Sequence, residues 1–349
     1  MSRKQVTMAD IAAAVGRIAG RKISIPTVSR AVHLEPGVSP ELRELVLRVA
    51  EEMNYIPTPE STGRVAVLTP VVDTWFYSSV VAGIETELHR AGLDLLLYCL
   101  TTADQRRQFI AGLPQRRKVD AVIVVAAPVG DTDRELLLRR GYPVVSVGAR
   151  TDGLATVRFD DHEAARKAVG HLIHQGHNRI AMIRTESLEG AYWDADRDRY
   201  RGYRDQLDAA GLRFREDYVV SVRWGVDEGG LAMDRLLNVE APLPTAVFCH
   251  SDEVAAGALR KLRHDARIPV PESLSVVAVD DHPIAEMINL TTVAQPARHQ
   301  GSRAARAIID HLTGQIPLDP TAATTLPATN LIFRGSTAPP PTESAAAPR

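Results

Sequence analysis

Short apolar segments alternate with longer amphipathic segments from about residue 65 to residue 334. The short segments are apolar on both faces, which is typical of strands in parallel sheets that helices cover on both sides. About 270 residues exceed one comfortable core, so the pattern predicts an α/β body of two doubly wound, parallel-sheet lobes. We expect strands at residues 65–68, 93–99, 121–125, 144–147, 156–159, 179–183, 218–222, 246–249 and 275–279, and helices that include 78–91, 161–175, 199–210, 252–263 and 298–312.

The segment that precedes these lobes, here called the head, has a helical pattern without apolar strands. The spacing of its apolar residues predicts one helix at 8–16, a second at 25–32 and a third that follows a Ser-Pro-Glu start signal. Ser24 is the expected N-cap of the second helix, and Pro26 lies in its first turn, where the missing N–H costs nothing. The head is therefore predicted to be a three-helix unit.

Charge is distributed unevenly between the head and the rest of the chain. Residues 1–33 hold six Lys and Arg residues against Asp10 alone, a local charge of +5, so the remainder carries −7 of the total of −2. A basic segment on an acidic body is typical of a protein in which one segment meets a polyanion. Together with the three helices, this predicts a helix-turn-helix that binds double-stranded DNA.

The second helix of a helix-turn-helix lies in the major groove, with its early residues at base edges. We expect Ile25, Pro26 and Arg30 to face the bases, and Arg30 to be the residue that reads them by hydrogen bonds. The alternative is that Arg30 caps a helix or forms a salt bridge inside the head. The other groups expected to bind DNA, mainly at phosphates, are Thr27, Ser29, the backbone at Thr7, and Ser24.

In open parallel sheets, ligands bind beyond the carboxyl ends of the strands. All three tryptophans of the chain fall at such positions, together with several carboxylates. Aromatic faces beside carboxylates suit a sugar, which offers apolar C–H faces and many hydroxyls. The candidate effector-binding residues on this argument are Trp75, Phe76, Asp161, Trp193, Trp224, Ser251 and Asp280.

Four stretches of the head resemble the headpiece of the lactose-repressor (LacI/GalR) family: Val6-Thr-Met-Ala-Asp-Ile-Ala, Ile23-Ser-Ile-Pro-Thr-Val-Ser-Arg, Gly37-Val-Ser and Asn54-Tyr-Ile-Pro. The resemblance continues to Phe333-Arg-Gly-Ser-Thr-Ala-Pro-Pro340, and the body also resembles periplasmic sugar receptors. It implies a transcription regulator, a repressor, that binds a palindromic operator as a homodimer. A sugar or similar effector between the two lobes would control its operator affinity, and we expect this effector to be an inducer rather than a corepressor.

The resemblance also assigns positions in the body to the effector. Arg199 matches the family's ligand-binding arginine, although the alternating charges at 194–201 by themselves are typical of a solvated face. Ser251 and Gly148 stand where many members have asparagine and aspartate, so the ligand of a known member cannot be transferred. The matching pocket positions are Phe76, Asp161, Arg199, Trp224 and Asp280.

The head departs from the family in two places. About six extra residues fall at 16–22 and add Arg17, Arg21 and Lys22, so that either the first helix is longer or a basic loop projects toward the DNA phosphates. A solvated loop without a role is the alternative. The segment after Tyr55 is short and has no leucine, so we expect neither a hinge helix nor strong kinking of the operator centre.

Several classes of protein are disfavoured by the sequence. The start has no apolar segment of a signal peptide, no run of about 18 apolar residues occurs, and two cysteines cannot form a disulfide framework, so we expect a cytoplasmic protein that contacts no membrane. A sugar-binding module and an enzyme that uses the same cleft are the alternatives. We find no phosphate-binding glycine loop, paired metal ligands or catalytic triad, and expect no cofactor and no metal.

The expected domains are the helix-turn-helix at 1–57, a shortened linker at 58–64, an effector-binding and dimerisation domain at 65–334 and a disordered tail at 335–349. Within the third domain, we expect the chain to cross between the lobes more than once. Lobe 1 would comprise about 65–158 and 295–325, and lobe 2 about 159–294 and 326–334.

Overall fold

The structure is a computed structural model that describes residues 8–32, 36–53, 62–116, 119–127, 129–139, 141–186, 194–240, 242–328 and 330–341. The chain divides into two compact units, Met1–Ser61 and Thr62–Arg349. The first unit contains the head, and the second is the α/β body. Each unit is described by itself.

Three helices form the head: α1 (Met8–Ala19), α2 (Ile25–Val32) and α3 (Pro40–Glu52). One small apolar core holds them together, and its fully buried side chains include Ile11, Val28 and Val46, one from each helix. The Ser24 hydroxyl accepts a hydrogen bond from the Thr27 N–H at 3.2 Å, so Ser24 caps α2 as the sequence predicts.

The first lobe of the body is built on a six-stranded parallel sheet, with the strand order β11-β5-β4-β3-β1-β2. The helices that accompany it are α4 (Trp75–Arg90), α5 (Ala103–Arg116), α6 (Asp131–Arg139) and α12 (Ala297–Leu312). Its strands are β1 (Arg64–Thr69), β2 (Asp94–Cys99), β3 (Ala121–Val125), β4 (Val144–Val147), β5 (Ala155–Phe159) and β11 (Ala323–Leu326).

The second lobe has the same design, with the strand order β12-β10-β9-β8-β6-β7, and only β12 runs antiparallel to its neighbour. Its helices are α7 (Asp161–His174), α8 (Asp194–Ala209), α9 (Val226–Leu237), α10 (Asp252–Arg260) and α11 (Pro283–Met287). Its strands are β6 (Ile180–Thr185), β7 (Val219–Val222), β8 (Ala246–Cys249), β9 (Ser275–Asp280), β10 (Thr291–Ala294) and β12 (Leu331–Ile332).

The predicted fold class, a three-helix head followed by two parallel-sheet lobes, is confirmed. The chain passes between the two sheets three times, after β5, after β10 and after β11. The sequence pattern missed several short or amphipathic elements, among them α5, α6, α9 and β10, because their apolar residues are too few or too mixed to define a period. It also placed the start of α8 at residue 199, whereas the helix begins at Asp194.

The prediction of a disordered tail from residue 335 is wrong for residues 335–341. Ser336 is fully buried, donates its hydroxyl to the Val276 carbonyl at 2.6 Å and accepts from the Thr291 N–H at 2.7 Å. The Ala338 carbonyl bonds to the buried ring of His177 at 2.8 Å. These polar contacts attach the segment to the second sheet despite its proline-rich composition, and residues 342–349 lie outside the described residues.

Glycine allows three helix pairs of the body to pack backbone against backbone. A Cβ added to Gly257 of α10 would lie 1.7 Å from the Val226 carbonyl oxygen of α9, and one added to Gly229 would lie 2.0 Å from the Val254 carbonyl oxygen. Comparable approaches hold α4 against α12 and α7 against α8, at Gly83, Gly301 and Gly202. The two helices of each pair therefore lie so close together that any larger residue at these glycines would push them apart.

Among the described residues, no helix combines the length and the apolar character that crossing a membrane requires.

Because of this close approach, Gly257→Ala is expected to destabilise the body by about 1–3 kcal/mol or more, since the methyl group must push two helix backbones apart. Differential scanning calorimetry should show Tm lowered by roughly 2–10 °C. Gly230→Ala is the matched control, because its added Cβ meets nothing nearer than 3.5 Å and alanine favours the helix. An equal decrease of Tm in both variants would contradict the packing argument.

Candidate functional site

The exposed face of α2 contains the residues that were predicted to meet base edges. Val28, Ala31 and Val32 are buried and fix the helix to the head, whereas Ile25 is 50% exposed and Pro26 and Arg30 are exposed. The helix is thus anchored along one side and open along the other. This is the arrangement that insertion into a groove requires.

Arg30 extends along its own helix rather than into the core of the head. Its Nε donates to the Pro26 carbonyl at 3.3 Å, and within residues 8–32 and 36–53 it has no ion-pair partner. The alternative that Arg30 forms a salt bridge inside the head therefore finds no support in the described residues. The Ser24 and Thr27 hydroxyls bond to each other at 2.7 Å beside it, and Ser29 is half-buried on the same helix.

The extra residues at 16–22 are divided between a longer helix and a short loop. Helix α1 continues to Ala19, beyond the predicted end at residue 16, and Gly20 then turns the chain with φ of +65°. Arg17 in the last turn of α1, and Arg21 and Lys22 in the loop, are all exposed. The alternative of a longer first helix thus holds in part and all three cations reach solvent, while their contact with DNA phosphates stays a prediction.

Two predictions about the head fall outside the described residues. They are the phosphate contact at Thr7 and the absence of a hinge helix after Tyr55.

A cavity of about 540 Å³ lies between the two lobes of the body, at the carboxyl ends of their strands. Five of the predicted effector-binding residues line it: Phe76, Asp161, Arg199, Trp224 and Asp280. Phe76 comes from the first turn of α4, Asp161 from the start of α7, and Trp224 follows β7. Two aromatic residues that are far apart in the sequence and several buried charged residues therefore line one cleft.

Three predicted residues do not line the described cavity wall. Trp75 packs its ring against His282, with centroids 5.6 Å apart, because consecutive residues of a helix point in different directions. Ser251 is fully buried, and its hydroxyl caps α10 by accepting from the Val254 N–H at 3.3 Å. Trp193 lies outside the described residues.

Five buried residues of the second lobe that line the cavity are here called its floor: Asp161, Arg199, His250, Asp280 and Gln295. Arg199 contacts the other four, and its side chain is 2% exposed. Its Nε donates to Asp161 Oδ1 at 2.8 Å and its Nη2 donates to Gln295 Oε1 at 3.2 Å, while Nη1 donates to the His250 carbonyl. Asp280 Oδ1 lies 3.6 Å from Nη2. Burial beside these acceptors therefore supports the prediction of Arg199 as a cavity residue over the alternative of a solvated side chain, whereas Arg197 and Arg201 of the same helix are exposed.

Burial shifts the pKa of the two carboxyls and of the imidazole on this floor. It raises the pKa of the Asp161 and Asp280 carboxyls, and the attraction of Arg199 lowers them only in part. It holds the pKa of His250 well below its ordinary value, with the nearby guanidinium groups of Arg199 and Arg184 acting in the same direction. The imidazole of His250 is therefore neutral, and the two carboxylates compete for one guanidinium.

The wall also contains residues that the sequence argument did not select. His250 directly follows β8 and lines the cavity, whereas the next residue, Ser251, was chosen. Gln295 follows β10, a strand that the sequence pattern missed. Arg150 stands after β4, where the rule of strand ends could have found it, and Asp194 and Arg197 follow a segment without a clear period.

Gly148 shows how the wall accommodates Phe76. The glycine has φ of +78°, and an added Cβ would lie 2.9 Å from the Phe76 ring. An aspartate at this position would therefore require the ring to move. The aromatic surface takes the space that a polar side chain would fill.

Polar contacts join the two lobes of the body. The Arg150 N–H of the first lobe donates to Asp194 Oδ2 of the second at 2.7 Å. Arg158 of β5 lies 3.4 Å from Asp198 of α8. These contacts, with the Trp75–His282 ring pair, hold the lobes together in the described arrangement.

Two family models match the chain. The model described as "Bacterial regulatory proteins, lacI family" matches residues 7–58, and the one described as "Periplasmic binding protein-like domain" matches residues 169–337. The first match lies within the head unit and the second within the body.

Transcription regulators of known sequence are similar to this chain along nearly its whole length. The HTH-type transcriptional repressor CytR of Escherichia coli (strain K12) is 30% identical over 329 residues, which are 90% of this chain and 93% of that protein. The HTH-type transcriptional regulator CelR of Thermobifida fusca is 31% identical over 333 residues, covering 90% and 94%.

Solved structures agree with this similarity. The transcriptional regulator CelR–cellobiose complex has a TM-score of 0.71 and 30% identity, and the match covers 95% of this chain and all of that one. A LacI family regulator from Enterococcus faecium with bound ribose has a TM-score of 0.68 and 28% identity, covering 79% of this chain and 99% of that one. The chain therefore belongs to the LacI family of DNA-binding transcription regulators, which are not enzymes.

Proposed function

We propose that this regulator is a cytoplasmic repressor that binds a palindromic operator as a homodimer and is released from it when a small sugar or related molecule occupies the cavity. The observation that carries the proposal is the combination of an exposed face on α2 with a cleft of about 540 Å³ between the two lobes of the same chain. The first supports sequence-specific DNA binding, and the second supports control by an effector.

The cavity wall supports a sugar-like effector. Phe76 and Trp224 offer apolar faces, while Asp161, Asp280 and Gln295 offer acceptors for hydroxyl groups. The relatives solved with cellobiose and with ribose show that lobes of this kind accept such molecules. The match to a protein named a repressor favours repression over activation.

The position of the cavity between the lobes supports a two-state control. A ligand that contacts both lobes favours the arrangement in which both sets of contacts form, so it shifts the population between lobe arrangements. Each lobe is internally rigid because of its glycine-packed helices, and a change at the cavity is then expressed as a movement of whole lobes.

Footprinting and gel shifts on the promoters near the gene, with and without sugars, test the proposed function. We expect protection of a palindromic site that weakens on addition of one sugar. A thermal-shift screen identifies that sugar, because a ligand that binds only the folded state raises Tm by mass action. Tighter operator binding in its presence would reject release as the direction of control, and absence of specific binding to any site would reject the proposal.

Replacing Arg30 with alanine is expected to remove the main hydrogen-bonded base contact, which costs about 1–3 kcal/mol of specific binding. Fluorescence anisotropy should show operator affinity reduced by roughly 5- to 150-fold, with affinity for random DNA changed much less. Arg48→Ala, an exposed arginine of α3, is the control of equal charge. If both variants lose affinity equally for operator and random DNA, Arg30 acts only as a charge.

Replacing Arg17, Arg21 and Lys22 together with alanine is expected to reduce the salt dependence of DNA binding. The log–log slope becomes shallower by about 0.9 for each phosphate that is no longer neutralised, so the slope of the triple variant should be smaller by about 1–3 units. Operator titrations at several salt concentrations measure the slope. An unchanged slope would mean that these three cations stay solvated and neutralise no DNA phosphate.

Asp194→Ala is expected to weaken effector binding by about 2- to 10-fold, because it removes the bond to the Arg150 N–H that joins the lobes. Titration of the sugar found in the thermal-shift screen, followed by tryptophan fluorescence, measures the effect. Asp205→Ala on the same helix removes an exposed carboxylate that pairs with His162 and serves as the control. Wild-type affinity in both variants would show that the contact does not favour the bound state.

A further inference from the structure

Two acidic side chains on the floor of the cavity share one basic partner. The side chains of Asp161 and Asp280 are 8% and 5% exposed, and both face the one guanidinium of Arg199. Gln295 is uncharged, and the low pKa of His250 keeps its ring neutral. Two buried carboxyls of the floor therefore face the single guanidinium that contacts them.

Arg199 is held by these groups and by the protein backbone at once. Its Nε, Nη1 and Nη2 donate to Asp161, to the His250 carbonyl and to Gln295. A guanidinium whose charge is already balanced by buried carboxyls attracts a phosphate or a carboxylate of a ligand only weakly. Burial raises the pKa of both carboxyls, the direction expected at a place that disfavours negative charge.

The other arginines that line the cavity, here called its rim, each have an acidic partner among the described residues. Each arginine there lies beside a carboxylate, at 3.2 Å for Arg150 and Asp152, 2.8 Å for Arg197 and Asp194, and 3.0 Å for Arg134 and Asp131. A ligand that enters the cavity thus meets acceptors at the floor and paired charges at the rim.

We propose that the effector has no anionic group, and that Asp161 and Asp280 exclude phosphate esters and sugar acids while they accept hydrogen bonds from an uncharged polyol. This inference rests on the proposed effector function of the cavity. An anion placed at the floor would be desolvated beside two carboxylates, with Arg199 already neutralised by them. A hydroxyl group of an uncharged ligand can instead donate a hydrogen bond to either carboxylate, so that the two no longer depend on one guanidinium alone.

The first experiment measures anion entry without knowledge of the effector. All three tryptophans, at positions 75, 193 and 224, belong to the body, and Trp224 lines the cavity, so tryptophan fluorescence does not report anions that bind the head. Full-length protein is titrated with inorganic phosphate at constant ionic strength. We expect no saturable response in the wild-type chain.

The matched variant is Asp161→Asn/Asp280→Asn, which preserves side-chain shape and leaves Arg199 as the one formal charge on the floor. We expect it to gain a saturable fluorescence response at millimolar phosphate, while Asp205→Asn on the surface of α8 stays silent. A saturable response in the wild-type chain that Trp224→Phe abolishes, or a folded double variant that remains silent, overturns the proposal.

The second experiment uses pairs of ligands and does not depend on the folding of the double variant. Glucose and glucose 6-phosphate, ribose and ribose 5-phosphate, and the sugar found in the thermal-shift screen with its phosphate ester are compared by calorimetric titration. The uncharged member should bind at least about tenfold more tightly, and either single variant, Asp161→Asn or Asp280→Asn, should narrow that ratio. A phosphate ester that binds the wild-type chain as tightly as its parent sugar overturns the proposal.

The two proposals fail in different ways. Operator binding that no ligand alters would reject effector control and would leave the phosphate titrations of the wild-type chain and its variants unaffected. If anions bind at the floor and a ligand still releases the operator, the proposed effector control stands and only the proposed exclusion of anions is rejected.

Discussion

The burial of Arg199 between two carboxylates is the interaction on which the cavity depends. Its guanidinium binds the start of α7, the end of β8 and the segment after β10, and it lies beside the end of β9. Four segments of the second lobe are thereby fixed at the carboxyl edge of one sheet. Removing one partner of such a buried group costs about 3–5 kcal/mol, so the geometry of the floor is set firmly.

The glycine-packed helices and the polar contacts between lobes divide the body into stiff and adjustable parts. Inside each lobe, helix backbones touch at Gly83, Gly202 and Gly257, where no side chain can yield. Between the lobes, the described contacts are a backbone N–H to Asp194, an arginine–aspartate pair and one ring pair. A ligand in the cavity therefore acts on the contacts between the lobes, which are weaker than those inside each lobe. A regulator that switches between two lobe arrangements requires this difference.

The rule that ligands lie beyond the ends of parallel strands located much of the floor from sequence. Phe76, Asp161 and Asp280 were selected for that reason and line the cavity. The rule could not choose between neighbours: Trp75 faces His282 rather than the cavity, and Ser251 caps a helix while His250 faces the ligand space. Such choices depend on the direction of each side chain, which neither periodicity nor residue type specifies.

The sequence by itself determined the three-helix head, the parallel sheets of the two lobes and the basic character of the DNA-binding segment, because period, capping residues and charge act over short stretches of chain. Only the tertiary structure decided that Asp161 and Asp280 share Arg199, and that residues 335–341 pack on the second sheet. Arg199 and Gln295 are 96 residues apart. Contacts over such separations follow from how helices pack on a sheet, and no local pattern encodes them.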